Sequence, residues 1–118
     1  MKLHMLTEAI GAKILHQGRC TTHDIVCFYA GDKMSDLLNQ ASESTLIVTN
    51  LVNAQLLRFA DIMDVPGICL LNNVSLTDDM TAMIHEHTTT ILVSPGNMEE
   101  TCERLRQCLP EARGIMTP

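Results

Sequence analysis

The chain has 118 residues, 46% of them hydrophobic and 19% charged, with eight Lys or Arg against fourteen Asp or Glu and a formal charge of −6. That is the length of one domain with enough apolar material for a core, so disorder is excluded as a bulk property. No two Lys or Arg are adjacent, and aromatics (Phe28, Tyr29 and Phe59) are only 3%, so both the clustered charge and the stacking platforms of a nucleic-acid binder are missing.

Residues 2–10 place Leu3, Leu6 and Ile10 at helical spacing, and Gly11 reads as the stop. Residues 12–15 form a short strand candidate before a loop at 17–22. Residues 24–30, Asp-Ile-Val-Cys-Phe-Tyr-Ala, are a β-branched and aromatic run suited to a strand buried on both faces. Asp32 or Ser35 is placed to cap a helix carrying Met34, Leu37, Leu38 and Ala41. Residues 45–49 read as a buried strand, 51–65 as the longest helix and 67–71 as another strand. Thr77 caps a helix with Asp78 and Asp79 in its first turn and Leu76, Met80, Met83, Ile84 and His87 on its inner face. Residues 90–94 form the last strand. Asn97 then opens a helix with Glu100 as capping-box partner, Met98, Cys102, Leu105 and Leu109 on one face, and Pro110 as the stop. One domain is expected over residues 2–109, with 110–118 as a tail.

Three buried strands alternating with helices require βαβ units, hence an α/β fold: a three-layer sandwich around a mostly parallel sheet of about five strands. The 51–65 helix is apolar over most of its circumference, with Gln55, Arg58, Asp61 and Asp64 in one narrow polar stripe. It suits either a wedged central helix or an interface with a second copy of the chain through Val52, Leu56, Leu57, Phe59 and Met63.

Five cysteines without a C-x-x-C, and an N-terminus without a signal-peptide core, point to a reducing cytoplasm; Cys27 and Cys69 read as core residues. No apolar run approaches the ~20 residues of a membrane span. There is no phosphate loop, no G-x-G-x-x-G after a strand and no G-x-S-x-G elbow, so no catalysis and no cofactor are expected. His16, Cys20, His23 and Cys27 have the chemistry of metal ligands, but strand alternation works against their convergence, and no metal is assigned to them. His85-Glu86-His87 reads as imidazole placed at a helix C-terminus. Parallel α/β sheets bind ligands beyond the C-terminal strand edge. Here that edge offers Gly31, Asp32, Thr49, Asn50, Asn72, Asn73, Ser94 and Asn97, residues that serve equally as turn formers and caps.

The order Gly-Ala-Lys-Ile-Leu-His-Gln-Gly (11–18), Val-Cys-Phe-Tyr-Ala-Gly-Asp-Lys-Met-Ser (26–35), Leu-Ile-Val-Thr-Asn (46–50), Pro-Gly-Ile-Cys-Leu-Leu (66–71) and Thr-Ile-Leu-Val-Ser (90–94) resembles stand-alone DRTGG-domain proteins. Their fold is akin to the N-terminal domain of HPr kinase/phosphorylase and of MurF-type ligases. Gly31-Asp32, Ser35 and Thr49 match the family's turn and strand-end positions, while Asn72-Asn73 stand where the family has paired glycines. The resemblance implies a non-catalytic regulatory and dimerising module acting through protein–protein contact. It also implies an accessory role beside a hydrogenase-type redox system. The alternative is a sensor for a nucleotide or other anion at the strand edge.

Overall fold

The computed structural model describes residues 1–19 and 24–109 and the backbone of residues 115–116. In chain order the elements are α1 (Leu3–Ala9), β1 (Lys13–His16), β2 (Cys27–Ala30), α2 (Met34–Gln40), β3 (Thr45–Val48), α3 (Ala54–Ile62), β4 (Gly67–Leu70), α4 (Asp78–His85), β5 (Thr90–Val93), α5 (Met98–Cys108) and β6 (Ile115–Met116). They form one sheet ordered β1-β5-β4-β3-β2-β6. All neighbours run parallel except β1, which is antiparallel to β5. The fold is therefore the expected α/β sandwich, with a sixth strand: the backbone of 115–116, assigned to a tail by sequence, pairs with β2.

Strand alternation divides the core into two. Phe28, Ala30, Leu46, Val48, Cys69, Leu71 and Leu92 face α1 and α5, meeting Leu3, Leu6, Cys102 and Leu105. Tyr29, Ile47, Ile68, Leu70, Ile91 and Val93 face the other way, toward Leu37, Leu56, Leu57, Ala60 and Ile84 of α2, α3 and α4. The chirality of crossovers accounts for this split. Steps from β2 through β5 all move one way across the sheet, so right-handed connections put α2, α3 and α4 on one face. The step from β5 back to β6 reverses direction and sends α5 to the opposite face.

Three local expectations are corrected. Neither Asp32 nor Ser35 caps α2, whose N-cap position is Lys33 with no side-chain capping hydrogen bond; the Asp32 carboxylate is engaged elsewhere. Helix α3 is shorter than residues 51–65, because the Asn53 side chain accepts from Leu56 N and starts it, and left-handed Asp64 (φ 54°) follows its end. Cys27 is half-buried rather than a full core residue, with Sγ 3.2 Å from Thr45 Oγ1. The caps at Thr77 and Asn97, including the Asn97–Glu100 capping box, form as expected, and Gly11 takes the left-handed φ of 71° that ends α1.

Candidate functional site at the carboxyl edge of the sheet

The C-terminal ends of β2 to β5 bring the eight candidate residues to one edge, in two hydrogen-bonded groups. In the first, Asp32 is the hub. Its Oδ1 accepts from Thr49 Oγ1 at 3.0 Å and Asn50 N at 2.7 Å, and its Oδ2 accepts from Asn50 Nδ2 at 2.9 Å. Thr49 Oγ1 in turn accepts from Leu51 N. Burial alone would raise the Asp32 pKa, but these donors outweigh it and hold the carboxyl below its ordinary 3.8. The edge thus carries a fixed negative charge.

The second group joins β4 to β5. Asn72 and Asn73 both adopt left-handed conformations (φ 57° and 48°), a region Asn tolerates better than most residues. Their N–H groups donate to Gly96 O and Ser94 O at 2.9 and 2.8 Å. Ser94 Oγ, buried, pairs with Thr101 Oγ1 at 2.7 Å and accepts from Gly96 N. Asn97 is held to Glu100 in both directions.

A cavity of about 180 Å³ lies between the two groups, lined by Asn50, Leu70, Leu71, Asn72 and Val74. Turn residues and caps have consumed much of the edge's hydrogen-bonding capacity. The N-termini of α3, α4 and α5 are occupied by Asn53, Thr77 and Asn97. The exposed side-chain amides of Asn72 and Asn73 remain at the rim. Such an edge offers little to a phosphate beside Asp32 and more to a neutral, hydrogen-bonding group.

The proposed interface residues fall into two sets. Leu56 and Leu57 are 2% exposed and belong to the chain's own core, so they are not surface. Val52 and Phe59 are half-buried, and Met63 is exposed. The most exposed large hydrophobic residue on this stretch is one the sequence reading missed: Ile62, at 71%.

The four-residue metal-ligand pattern does not assemble. His16 lies on β1 and Cys27 on β2, four strand steps apart, roughly 19 Å at the usual strand spacing. Cys20 and His23 lie outside the described residues. The buried thiols are poor nucleophiles as well. Burial pushes Cys69 up to about 12 and also raises Cys102.

A second polar cluster sits at the opposite, N-terminal edge. Asp61, expected on a solvent-facing stripe of α3, turns toward the loop between α4 and β5. Its Oδ2 is 2.6 Å from His87 Nδ1, and its Oδ1 accepts from N and Oγ1 of both Thr88 and Thr89. From the other side, Gly18 N donates to Thr90 Oγ1 and Arg19 N to Thr88 O. His16 reaches the same loop through the His87 carbonyl at 2.7 Å. The run His-Thr-Thr-Thr at 87–90 was the available signal: four consecutive donor side chains need an acceptor, and a carboxylate one element away supplies it.

No protein-family model matches the chain, and no curated protein matches it. Among solved structures it is similar to a crystal structure of the CBS and DRTGG domains of the regulatory region of Clostridium perfringens pyrophosphatase, complexed with the activator diadenosine tetraphosphate. The TM-score is 0.62 at 10% sequence identity, over 90% of this chain and 46% of that one. The chain thus spans about half of that regulatory region's length, and the likeness supports a DRTGG-like α/β fold. Among the described residues no helix is long and apolar enough to cross a membrane.

Proposed function

We propose that this chain is a non-catalytic regulatory module that acts as a homodimer through the C-terminal end of α3. One observation carries the reading: Ile62 is 71% exposed and adjoins exposed Met63, beside half-buried Phe59. A two-fold axis at this point would cover both with their own symmetry mates. The regulatory setting is supported by the folding neighbour, which is part of a pyrophosphatase regulatory region. An accessory role beside a hydrogenase-type redox enzyme, and kinship with the N-terminal domain of HPr kinase/phosphorylase, draw on the sequence resemblance. The expected setting is cytoplasmic. The test is the mass in solution of the native chain against Ile62→Glu.

A second reading has its own support. The cavity between Asn50 and Asn72 suits a small hydrogen-bonding ligand, and the folding neighbour is complexed with a dinucleotide activator. In this reading the carboxyl edge senses a nucleotide, with the side chains of Asn50, Asn72 and Asn73 on its neutral, hydrogen-bonding part, while Asp32 keeps phosphates away from the Thr49 side. Calorimetry with diadenosine tetraphosphate, ATP and AMP tests it. Binding that is lost in Asn72→Ala supports the sensor, and no heat with any of the three sinks it.

A further inference from the structure

His16 ends β1 and His85 ends α4, 69 residues later, yet their Nδ1 atoms are 2.9 Å apart. The rings meet edge to face, with centroids 4.8 Å apart and planes at 87°. His16 Nε2 is 2.7 Å from the His87 carbonyl oxygen. A carbonyl can only accept, so Nε2 carries the hydrogen and neutral His16 presents Nδ1 as a lone pair. His85 must then supply the N–H of the contact. One proton is held between two imidazole nitrogens, and the far nitrogen of His16 is anchored on a backbone carbonyl. That anchoring is the outer-shell arrangement which fixes the tautomer of metal-ligating histidines.

We propose that His16 and His85 form a two-histidine site for a divalent late transition-metal ion, copper(II) foremost. With metal–nitrogen bonds of about 2.0–2.1 Å, two nitrogens 2.9 Å apart subtend about 90° at the ion. That is the angle between adjacent ligands in a square-planar or tetragonal shell, the geometry of copper(II) and nickel(II). A tetrahedral ion would need the nitrogens roughly 3.3–3.4 Å apart. Copper(II) also stands at the head of the affinity order for nitrogen ligands. As the ion enters, His85 moves its hydrogen from Nδ1 to Nε2, so that both Nδ1 atoms offer lone pairs to the ion. Among the described residues no cluster of three or more His, Cys, Asp or Glu is poised to hold an ion, and water completes the shell. The ion ties edge strand β1 to the end of α4, beside a cavity of about 350 Å³ lined by Leu15, Val74, Leu76, Ile84 and His85.

The test titrates copper(II) into the untagged full chain, read by calorimetry and electron paramagnetic resonance. One ion per chain with two coordinating imidazole nitrogens is expected. His16→Gln and His85→Gln should each weaken binding by about tenfold or more, while His4→Gln and His23→Gln leave it unchanged. His85 is exposed, so its variant should keep its melting temperature without metal, and copper should stabilise the native chain but not this variant. Wild-type affinity in His85→Gln overturns the proposal. So does loss that follows His4→Gln or His23→Gln, which would place the ion on one of those residues instead.

Discussion

His87 Nδ1 lies 2.6 Å from Asp61 Oδ2, and the two side chains are 15% and 25% exposed. The remaining Asp61 oxygen takes four hydrogen bonds from Thr88 and Thr89. A single carboxylate on α3 thereby fixes the loop that feeds β5 into the sheet. Hydrogen bonds to a charged acceptor are the strong ones, and their donors here would otherwise be left half-buried and unpaired. Asp61→Ala should destabilise the chain by about 2–4 kcal/mol in chemical denaturation. Asp61→Asn, which keeps one acceptor oxygen, should lose less. A change within 0.5 kcal/mol for Asp61→Ala would show that the loop does not depend on this residue.

The same contacts set an acid limit. Burial works to raise the Asp61 pKa, but the hydrogen bonds from His87, Thr88 and Thr89 outweigh it and hold the pKa below 3.8. The folded state therefore binds this proton less readily than the unfolded chain does. The resulting stabilisation is complete above the unfolded value and is lost as pH falls through the lowered folded value. Denaturation curves between pH 5 and pH 2 should show a steeper acid loss in the native chain than in Asp61→Asn. Parallel profiles would show that Asp61 has no part in the acid loss.

Gly18 is required for a different reason. A Cβ there would meet Thr88 O at 2.0 Å and Thr90 N at 2.6 Å, both backbone atoms that cannot swing aside. Gly18→Ala should cost about 2–3 kcal/mol through forced separation of the two segments, seen as a lowered melting temperature. Unchanged melting would mean that the segments part freely.

Most of the fold was legible because its signals are local and periodic. Apolar runs marked the four parallel core strands, β2 to β5, and Thr77 and Asn97 announced their helices. The carboxyl-edge residues followed from topology alone. What stayed hidden depends on partners distant in sequence. Asp61 fits a polar stripe by its i+3 spacing, and only the packing of α3 against the α4–β5 loop shows it turned inward. Asp32 has the composition of a helix cap, yet Thr49 and Asn50, 17 and 18 residues away, compete for it and win. The His16–His85 approach likewise depends on β1 pairing antiparallel with β5, which no local pattern encodes.

Substitutions on the two sides of α3 should behave in opposite ways. Leu57 is 2% exposed in the core, so Leu57→Glu buries an unpaired charge and should unfold the chain. Ile62→Glu, at a position 71% exposed, should leave monomer stability within about 0.5 kcal/mol. Circular dichroism melting separates the two, and comparable damage from both would place Ile62 in the core.

Association through that exposed end of α3 can be read by multi-angle light scattering of the native chain at micromolar concentration. The expected mass is twice the 13.1 kDa of one chain, falling to the single-chain mass in Ile62→Glu. A native chain that elutes at the single-chain mass, or a dimer that survives Ile62→Glu, would contradict it.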